Sequence, residues 1–314
     1  MNTLVTLSLA FPVVFVLSLL FEGIDRKVHA RMQKRIGPPI IQPFYDFIKL
    51  FNKERIVPIT ASPRIFTAIP IIAAAASILA AAIQLASLLL ETSVGGDLIL
   101  ILYLLAMSSV MVIVGGSSSG NPYGAVGFSR KMTLLIAYEM PMLISIVSIT
   151  LNCNSLAYYD VVSTQTTAKL MLALFRPSMA LAAATFLLCI PAAADAVPFD
   201  ICEAKTEIIH GPLVEYGGPY LALVKLAKAA SNFALTLLAA TLFFYLPAMF
   251  DGKFFPKLSN VIFSLVIALF LWLLTITVPR TIFARLRIGQ AFKFYWLIPL
   301  PLSIMSVVLF IFGL

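Results

Sequence analysis

Residues 195–220 read DAVPFDICEAKTEIIHGPLVEYGGPY and hold Asp195, Asp200, Glu203, Glu207 and Glu215, five of the chain's 14 acidic residues. Carboxylates this close together titrate as a group, so they can pass protons or hold cations between them. The segment lies between two long apolar runs, where acidic groups are costly unless water, a partner or a function retains them. Further ionisable residues fall inside apolar runs. Glu139 sits in LLIAYEMPML, with Pro141 just beyond it freeing a backbone carbonyl and favouring a water pocket. The alternative is a glutamate held by a lysine or hydroxyl for structure alone. Lys225 and Lys228 are three residues apart, which puts them on one helix face downstream of Glu215. A Lys–Glu chain in a wet interior would relay protons, because burial brings both kinds of group toward neutrality. The competing reading for Lys225 is snorkelling to the interface. Glu203 and Glu207, four apart, would stack on one helical face with Lys205 elsewhere. Asp200 fits an N-cap or first-turn acid. An amphipathic helix with a solvated acidic side has the same spacing.

The surrounding chain says what must position these groups. It has 314 residues, of which 61% are hydrophobic and 11% charged, with a mean hydropathy of +1.01. A soluble domain would carry about 25% charged residues. Spans in lipid must be helices or closed barrels, and the apolar runs are too long for barrel strands. The expected fold is an all-α polytopic membrane protein, one membrane-embedded unit over 1–314. Eight spans are expected: Leu4 to Phe21, then 65–90, 98–115, 131–151, 177–194, 219–246, 259–279 and 294–313. The first run lacks a basic leader and reads as a retained span.

Of the 22 Lys and Arg residues, 16 fall in loops 1–2, 3–4, 5–6 and 7–8, and four (Lys169, Arg176, Lys253 and Lys257) in the opposite loops. That split places both termini outside a cell membrane and the loops near 22–64, 195–218 and 280–293 in the cytoplasm. The net charge of +8 is explained by topology. No basic tract is interleaved with aromatics, so nucleic acid is excluded as a partner. Three scattered cysteines and two histidines cannot make an iron–sulfur or structural zinc site, so no cofactor or metal is expected in this chain.

Arg26, Lys27, Arg31, Lys34 and Arg35 form a basic run just beyond span one, suited to anionic lipid headgroups or to an acidic partner. After Arg35-Ile36-Gly37-Pro38-Pro39, the stretch FYDFIKLFNKE places Phe44, Phe47, Ile48 and Phe51 at helical spacing, with Asp46, Lys49 and Lys53 elsewhere on the turn. It predicts an amphipathic helix that lies in the interface or caps a partner. Gly-Gly-Ser-Ser-Ser-Gly at 115–120 reads as a short flexible turn, not a phosphate loop.

Taken together, several segments resemble one family. They are Asp25-Arg26-Lys27 through ARMQKRIGPP, QPFYDFIKLFNKE at 42–54, Ser129-Arg130 with Tyr138-Glu139, PFDICEAKTEIIHGPLVEYGGPY at 198–220, and VPRTIFARLRIGQAFKFYW at 278–296. In this order, over almost the whole chain, they are similar to subunit 1 of respiratory complex I and its relatives in energy-converting hydrogenases and ferredoxin-linked complexes. Loop 1–2 is short, as in the hydrogenase branch. Ala193 and Ala196 stand where the complex I pattern has a glutamate and an arginine, and Lys205 replaces a glutamate. These departures fall where complex I members admit quinone.

The resemblance implies a non-catalytic coupling subunit of a ferredoxin-linked hydrogenase or sulfur/polysulfide reductase, joining a redox arm to an ion-pumping membrane arm. Implied partners are an iron–sulfur electron-transfer subunit, a hydrogenase-large-subunit-like protein, antiporter-like membrane subunits and membrane lipid. Iron–sulfur clusters, and nickel–iron in the hydrogenase branch, would belong to those partners. Glu139, Asp195, Asp200, Glu203, Glu207, Glu215, Lys225 and Lys228 would couple ion movement. Arg26, Lys27, Arg31, Arg35, Asp46, Lys49, Arg130, Arg280, Arg285 and Arg287 would dock partners. A quinone-chamber subunit of complex I type is the alternative in the same superfamily. A stand-alone ion or solute transporter is the alternative of another class, although no inverted repeat is evident.

Overall fold

The computed structural model describes residues 3–93, 98–167, 176–245 and 256–313. Lys169 and Lys253, and the side chains of Lys205 and Lys257, lie outside that description. The described chain is helical in the order α1 (Thr3–Met32), α2 (Gln42–Phe51), α3 (Pro63–Leu90), α4 (Leu98–Ser118), α5 (Pro122–Cys153), α6 (Tyr158–Thr167), α7 (Pro177–Ala193), α8 (Lys205–Ile208), α9 (Gly218–Phe243), α10 (Pro256–Trp272), α11 (Val278–Ile282), α12 (Ile288–Leu297) and α13 (Pro299–Ile311). Among the described residues, seven helical stretches are long and apolar enough to cross a membrane, α7 being a shorter apolar helix. The seven occupy seven of the eight expected span positions, and the shorter α7 occupies the eighth.

Several boundaries move. The α1 helix continues past the apolar run to Met32, so Arg26, Lys27 and Arg31 are helical residues rather than loop residues. The α5 helix starts at Pro122, not near 131, because Asn121 caps it with Oδ1 on the Tyr123 N–H at 2.9 Å and Pro122 fixes its first position. Gly115 to Ser118 are not a flexible turn but the last turn of α4, with both glycines buried. The last span is broken at Ile298, where Pro299 cannot continue the hydrogen-bond ladder.

Helix α3 forms the centre, packing most extensively on α9 and α4. Alanines permit the approach: Ala73 and Ala74 of α3 meet Ala227 of α9. The Ser108 hydroxyl of α4 then reaches the Ala73 carbonyl at 3.1 Å. Helix α2 lies across α1 and α9. Phe44 and Phe47 set their edges on Phe15 of α1, with centroids 6.4 and 5.2 Å apart, while Ile48 and Phe51 remain exposed.

At 17 residues, α7 rises about 26 Å, short of a hydrocarbon core of roughly 30 Å. It stops in a Schellman turn: the Asp195 N–H bonds Ala192 O at 3.1 Å and the Ala196 N–H bonds Pro191 O at 3.0 Å. Asp195 therefore takes the left-handed position, φ 48°, which aspartate tolerates better than most residues. The chain that follows is not a solvated loop. Ala196, Phe199, Ile201, Cys202, Ala204 and Ile208 are all buried. Irregular backbone at this depth is tolerated because protein covers it.

Candidate functional site

Every acid of the 195–215 segment meets a partner on a different part of the fold. Asp195 accepts from Lys131 Nζ of α5 at 2.5 Å, and both residues are 8% exposed. Glu203 accepts from Lys228 Nζ of α9 at 3.1 Å. Asp200 accepts from Arg285 of the segment between α11 and α12 at 2.8 Å. Glu207 pairs with Arg130 at the protein surface. Glu215 accepts from Asn121 Nδ2 at 2.6 Å, so this asparagine caps α5 and clamps the segment at once. Burial raises the Asp200 pKa above the ordinary carboxylate value despite the positive charges of Lys228 and Arg285. The hydrogen bond and charge of Arg130 lower that of Glu207, and burial pushes the Cys202 thiol up.

The two lysine–carboxylate pairs share a cavity of ≈ 30 Å³, lined also by Ser108, Ser109, Ala193, Ser231 and Asn232. Lys131 and Lys228 stand nine and ten residues into their helices, α5 and α9, about 14 Å from those helix ends. The far half of the segment is held by packing instead of charge. Pro212 rests on Gly116 and Gly127, where an added Cβ would come within 2.7 and 2.6 Å of the proline ring. Tyr216 stacks on Phe66, with centroids 4.2 Å apart and planes 4° apart.

A second cluster joins α1, α2 and α9. Arg26 forks between Glu22 at 2.6 Å and Asp46 at 2.7 Å, and Gln42 also donates to Asp46 at 3.1 Å. Lys225 faces this cluster across a cavity of ≈ 20 Å³. Burial raises the Asp46 pKa, but the bonds from Arg26 and Gln42 outweigh it and hold the carboxyl below its usual range. Elsewhere a π-helical turn at Leu273–Thr277 presents the Thr277 hydroxyl to buried Asp25 at 2.5 Å, with Arg280 at 3.3 Å on the other carboxylate oxygen.

Several expectations need correction. Glu203 and Glu207 do not stack on one helical face, because helix α8 covers only Lys205–Ile208 and Glu203 lies in the turn before it. Asp200 caps no helix, its carboxylate being taken by Arg285. Lys225 and Lys228 diverge into separate cavities. Glu139 is half-buried in an uninterrupted α5 and does not line the lysine cavity. Among the expected docking residues, Arg26, Asp46, Arg130, Arg280 and Arg285 are engaged within the chain, whereas Arg31, Arg35, Lys49 and Arg287 are exposed and Lys27 is half-buried. Sequence reasoning passed over Lys131, Asn121 and Asn232. The Asn-Pro start at 121–122 was the available signal, since it places Lys131 deep inside a helix.

A family model described as NADH dehydrogenase matches residues 4–311. The chain belongs to that family. It is 32% identical to an NADH-quinone oxidoreductase subunit of Dehalococcoides mccartyi, over 98% of this chain and 86% of that relative. Identity to the corresponding NADH-quinone oxidoreductase subunit of Thermomicrobium roseum is 31%, over 90% of this chain and 87% of the relative. A similar solved structure is a chain of the membrane-bound sulfane sulfur reductase, an archaeal respiratory membrane complex. It has a TM-score of 0.87 and 29% identity, over 98% of this chain and 99% of that one. In this chain Ala193 and Asp195 both line the lysine cavity, and Asp195 supplies the acid at the end of α7.

Proposed function

We propose that this chain is the membrane-anchoring and coupling subunit of a ferredoxin-linked respiratory complex of the sulfur-reductase or hydrogenase type. It lies in the cell membrane with both termini outside. It joins an iron–sulfur redox arm, including a hydrogenase-large-subunit-like protein, to antiporter-like membrane subunits. The observation that carries this reading is the acidic segment, whose carboxylates are stitched to α5, α9 and the 280–293 segment by separate ion pairs. A partner settling on exposed Arg31, Arg35 and Arg287 reaches the same cytoplasmic face. A change of charge there competes for Arg130 and Arg285 and loosens Glu207 and Asp200. The shift in local potential is then felt by the buried Lys131–Asp195 pair and the half-buried Lys228–Glu203 pair, which exchange protons toward the membrane arm. The likeness to the sulfane sulfur reductase chain supports this branch. A second reading, a quinone-chamber subunit, is favoured by the NADH-quinone oxidoreductase relatives but lacks the glutamate and arginine replaced by Ala193 and Ala196.

Mild detergent purification through a tag on this chain, followed by mass spectrometry, tests the proposal. Iron–sulfur and antiporter-like subunits are expected to co-purify. A chain that purifies alone and remains stable would sink the proposal and favour the transporter alternative.

A further inference from the structure

Helix α9 is held firmly at one end and loosely at the other. From Asn232 to Phe243 every residue is buried, and no residue after Asn232 lines either cavity. The half that carries the lysines is different. It borders the lysine cavity through Val224, Lys228 and Ser231, and the second cavity, beside Arg26, through Ala222, Lys225 and Leu226. At about 100° per residue these two sets lie on different faces of the helix. Movement toward one cavity is therefore movement away from the other, and both offer space to move into. This end is also tied to α2. At Gly218, φ 53°, an added Cβ would come within 2.5 Å of Glu54 O, just past the end of α2, so a displacement of that segment reaches α9 directly.

The firm end is clamped by α6. Tyr158, Val161, Val162 and Gln165 are spaced for one helical face and all are 0% exposed. Gln165 Nε2 donates to Thr241 O at 3.1 Å and to Leu242 O at 2.7 Å. Those carbonyls are among the last four of α9, which the helix itself leaves unpaired. Tyr158 Oη donates to Thr241 Oγ1 at 2.9 Å. The clamp has its own footing. The Thr164 hydroxyl donates to Cys153 Sγ at the end of α5 at 3.3 Å, and Leu156 O accepts from the Leu98 N–H at the start of α4 at 3.1 Å. Gln165 Oε1 remains buried without a partner. Such an oxygen is unfavourable, so the glutamine stands there for what its nitrogen holds.

We propose that α9 is a lever: α6 is its fulcrum, the α2 segment is where it is loaded, and its lysine half tilts between the two cavities. Lys228 lies about 20 Å along the helix from Thr241. A tilt of about 5° therefore moves it by roughly 1.7 Å, within the range of helix shifts in switching proteins. That is enough to part an ammonium from the Glu203 carboxylate now 3.1 Å away. The same tilt alters the space around Lys225 and Asp46 in the opposite sense. Gln165 is the positioning residue, acting on the lysines only through the helix it holds. The lever rests on the coupling reading above, and the test separates the two.

The intact complex is imaged at rest and during turnover, with α3 as the frame of reference. In vesicles, ions moved per electron and the passive ion leak at rest are measured for wild type, Gln165→Leu and Gln165→Glu. In wild type the displacement of α9 is expected to grow from near zero at Thr241 to about 1–2 Å at Lys228. In Gln165→Leu the far end moves as well. The ions moved per electron then fall about fivefold, the scale of one lost hydrogen bond, with electron transfer still running and no added leak. The side chain of Gln165→Glu is buried and therefore neutral in mildly acidic buffer, so it keeps one donor. Its ratio recovers in part there and falls, relative to wild type at the same pH, as the acid ionises. A merely structural glutamine would not give that pH-dependent recovery. Equal displacement along α9, or none, overturns the lever. So does a leak at rest, which would make α6 a seal. Should Gln165→Leu fail to assemble, the images of wild type decide alone. Wild type that pumps while Gln165→Leu pumps equally well overturns the lever and spares the coupling reading; wild type that moves no ions overturns both.

Discussion

Two clusters in this molecule are built from the same numbers, a pair of cations and a pair of acids around a small cavity, and they differ in kind. In the inner one, Lys131 and Lys228 hold Asp195 and Glu203 between helices. In the outer one, Arg26 holds Glu22 and Asp46 at the edge of the amphipathic helix, with Lys225 nearby. Arginine does not release its proton and presents a planar fork, so it suits a permanent latch. Lysine is a compact charge whose proton can leave when its surroundings change, so it suits a site where charge must move. An ion pair's role is therefore written in which cation it uses as much as in where the pair lies.

The contrast between the clusters is exposed most severely at Lys131. Lys131→Met leaves Asp195 buried and unpaired, with an expected cost of about 3–5 kcal/mol. This would appear as a lower midpoint in thermal unfolding of the purified complex. The double variant Lys131→Met with Asp195→Asn should regain most of the loss. A single variant as stable as wild type would mean that the pair is not buried as described.

A subtler change keeps the charge. Lys228→Arg should preserve assembly while lowering ion transport about tenfold or more, since the replacement cannot give up its proton. Unaltered transport would remove the distinction between the two clusters. The reciprocal change, Arg26→Lys, keeps one positive charge but loses the fork. It should cost about 1 kcal/mol, seen as faster hydrogen exchange in α2 with ion transport intact.

The smallest effect is on pH dependence. Because Asp46 has a lowered pKa, its contribution to holding α2 is present above the ordinary carboxylate pKa and is lost as pH falls through the lowered value, below about 4. Asp200 has a raised pKa, so its contribution runs the other way: it is full at low pH and lost as pH rises through the raised value. Hydrogen exchange measured against pH should therefore show α2 loosening on acidification while the backbone around Asp200 does not. Parallel loosening of both would contradict the assigned directions.

Helix positions were legible in the sequence because apolar runs of span length have few other folds available in lipid. Phe44 and Phe47 likewise announced a helix with an apolar face, and both pack on Phe15. The acidic segment was legible as important but not in its geometry. Spacing of four suggested a shared helical face for Glu203 and Glu207, yet the half-buried Lys228 and the surface Arg130 draw them apart. That outcome is fixed by residues far along the chain, which local periodicity does not report. Lys131 was hidden for a related reason: it adjoins Arg130 and counts as a loop cation until the Asn121 cap extends α5 around it. Asp25 was visible only as part of a motif, since the π-helical turn that brings Thr277 to it has no signature in hydropathy.

The shortness of α7 has an electrical consequence. Where the other apolar stretches run for 21 residues or more, this one gives way after 17 residues to the polar cavity at its end. The insulating layer is thinner along that line, so the transmembrane voltage drops across fewer ångströms there. One elementary charge carried across a whole membrane at 100 mV works against about 2.3 kcal/mol. A charge leaving this cavity toward the far side of α7 would meet a large share of that drop within the length of a single short helix.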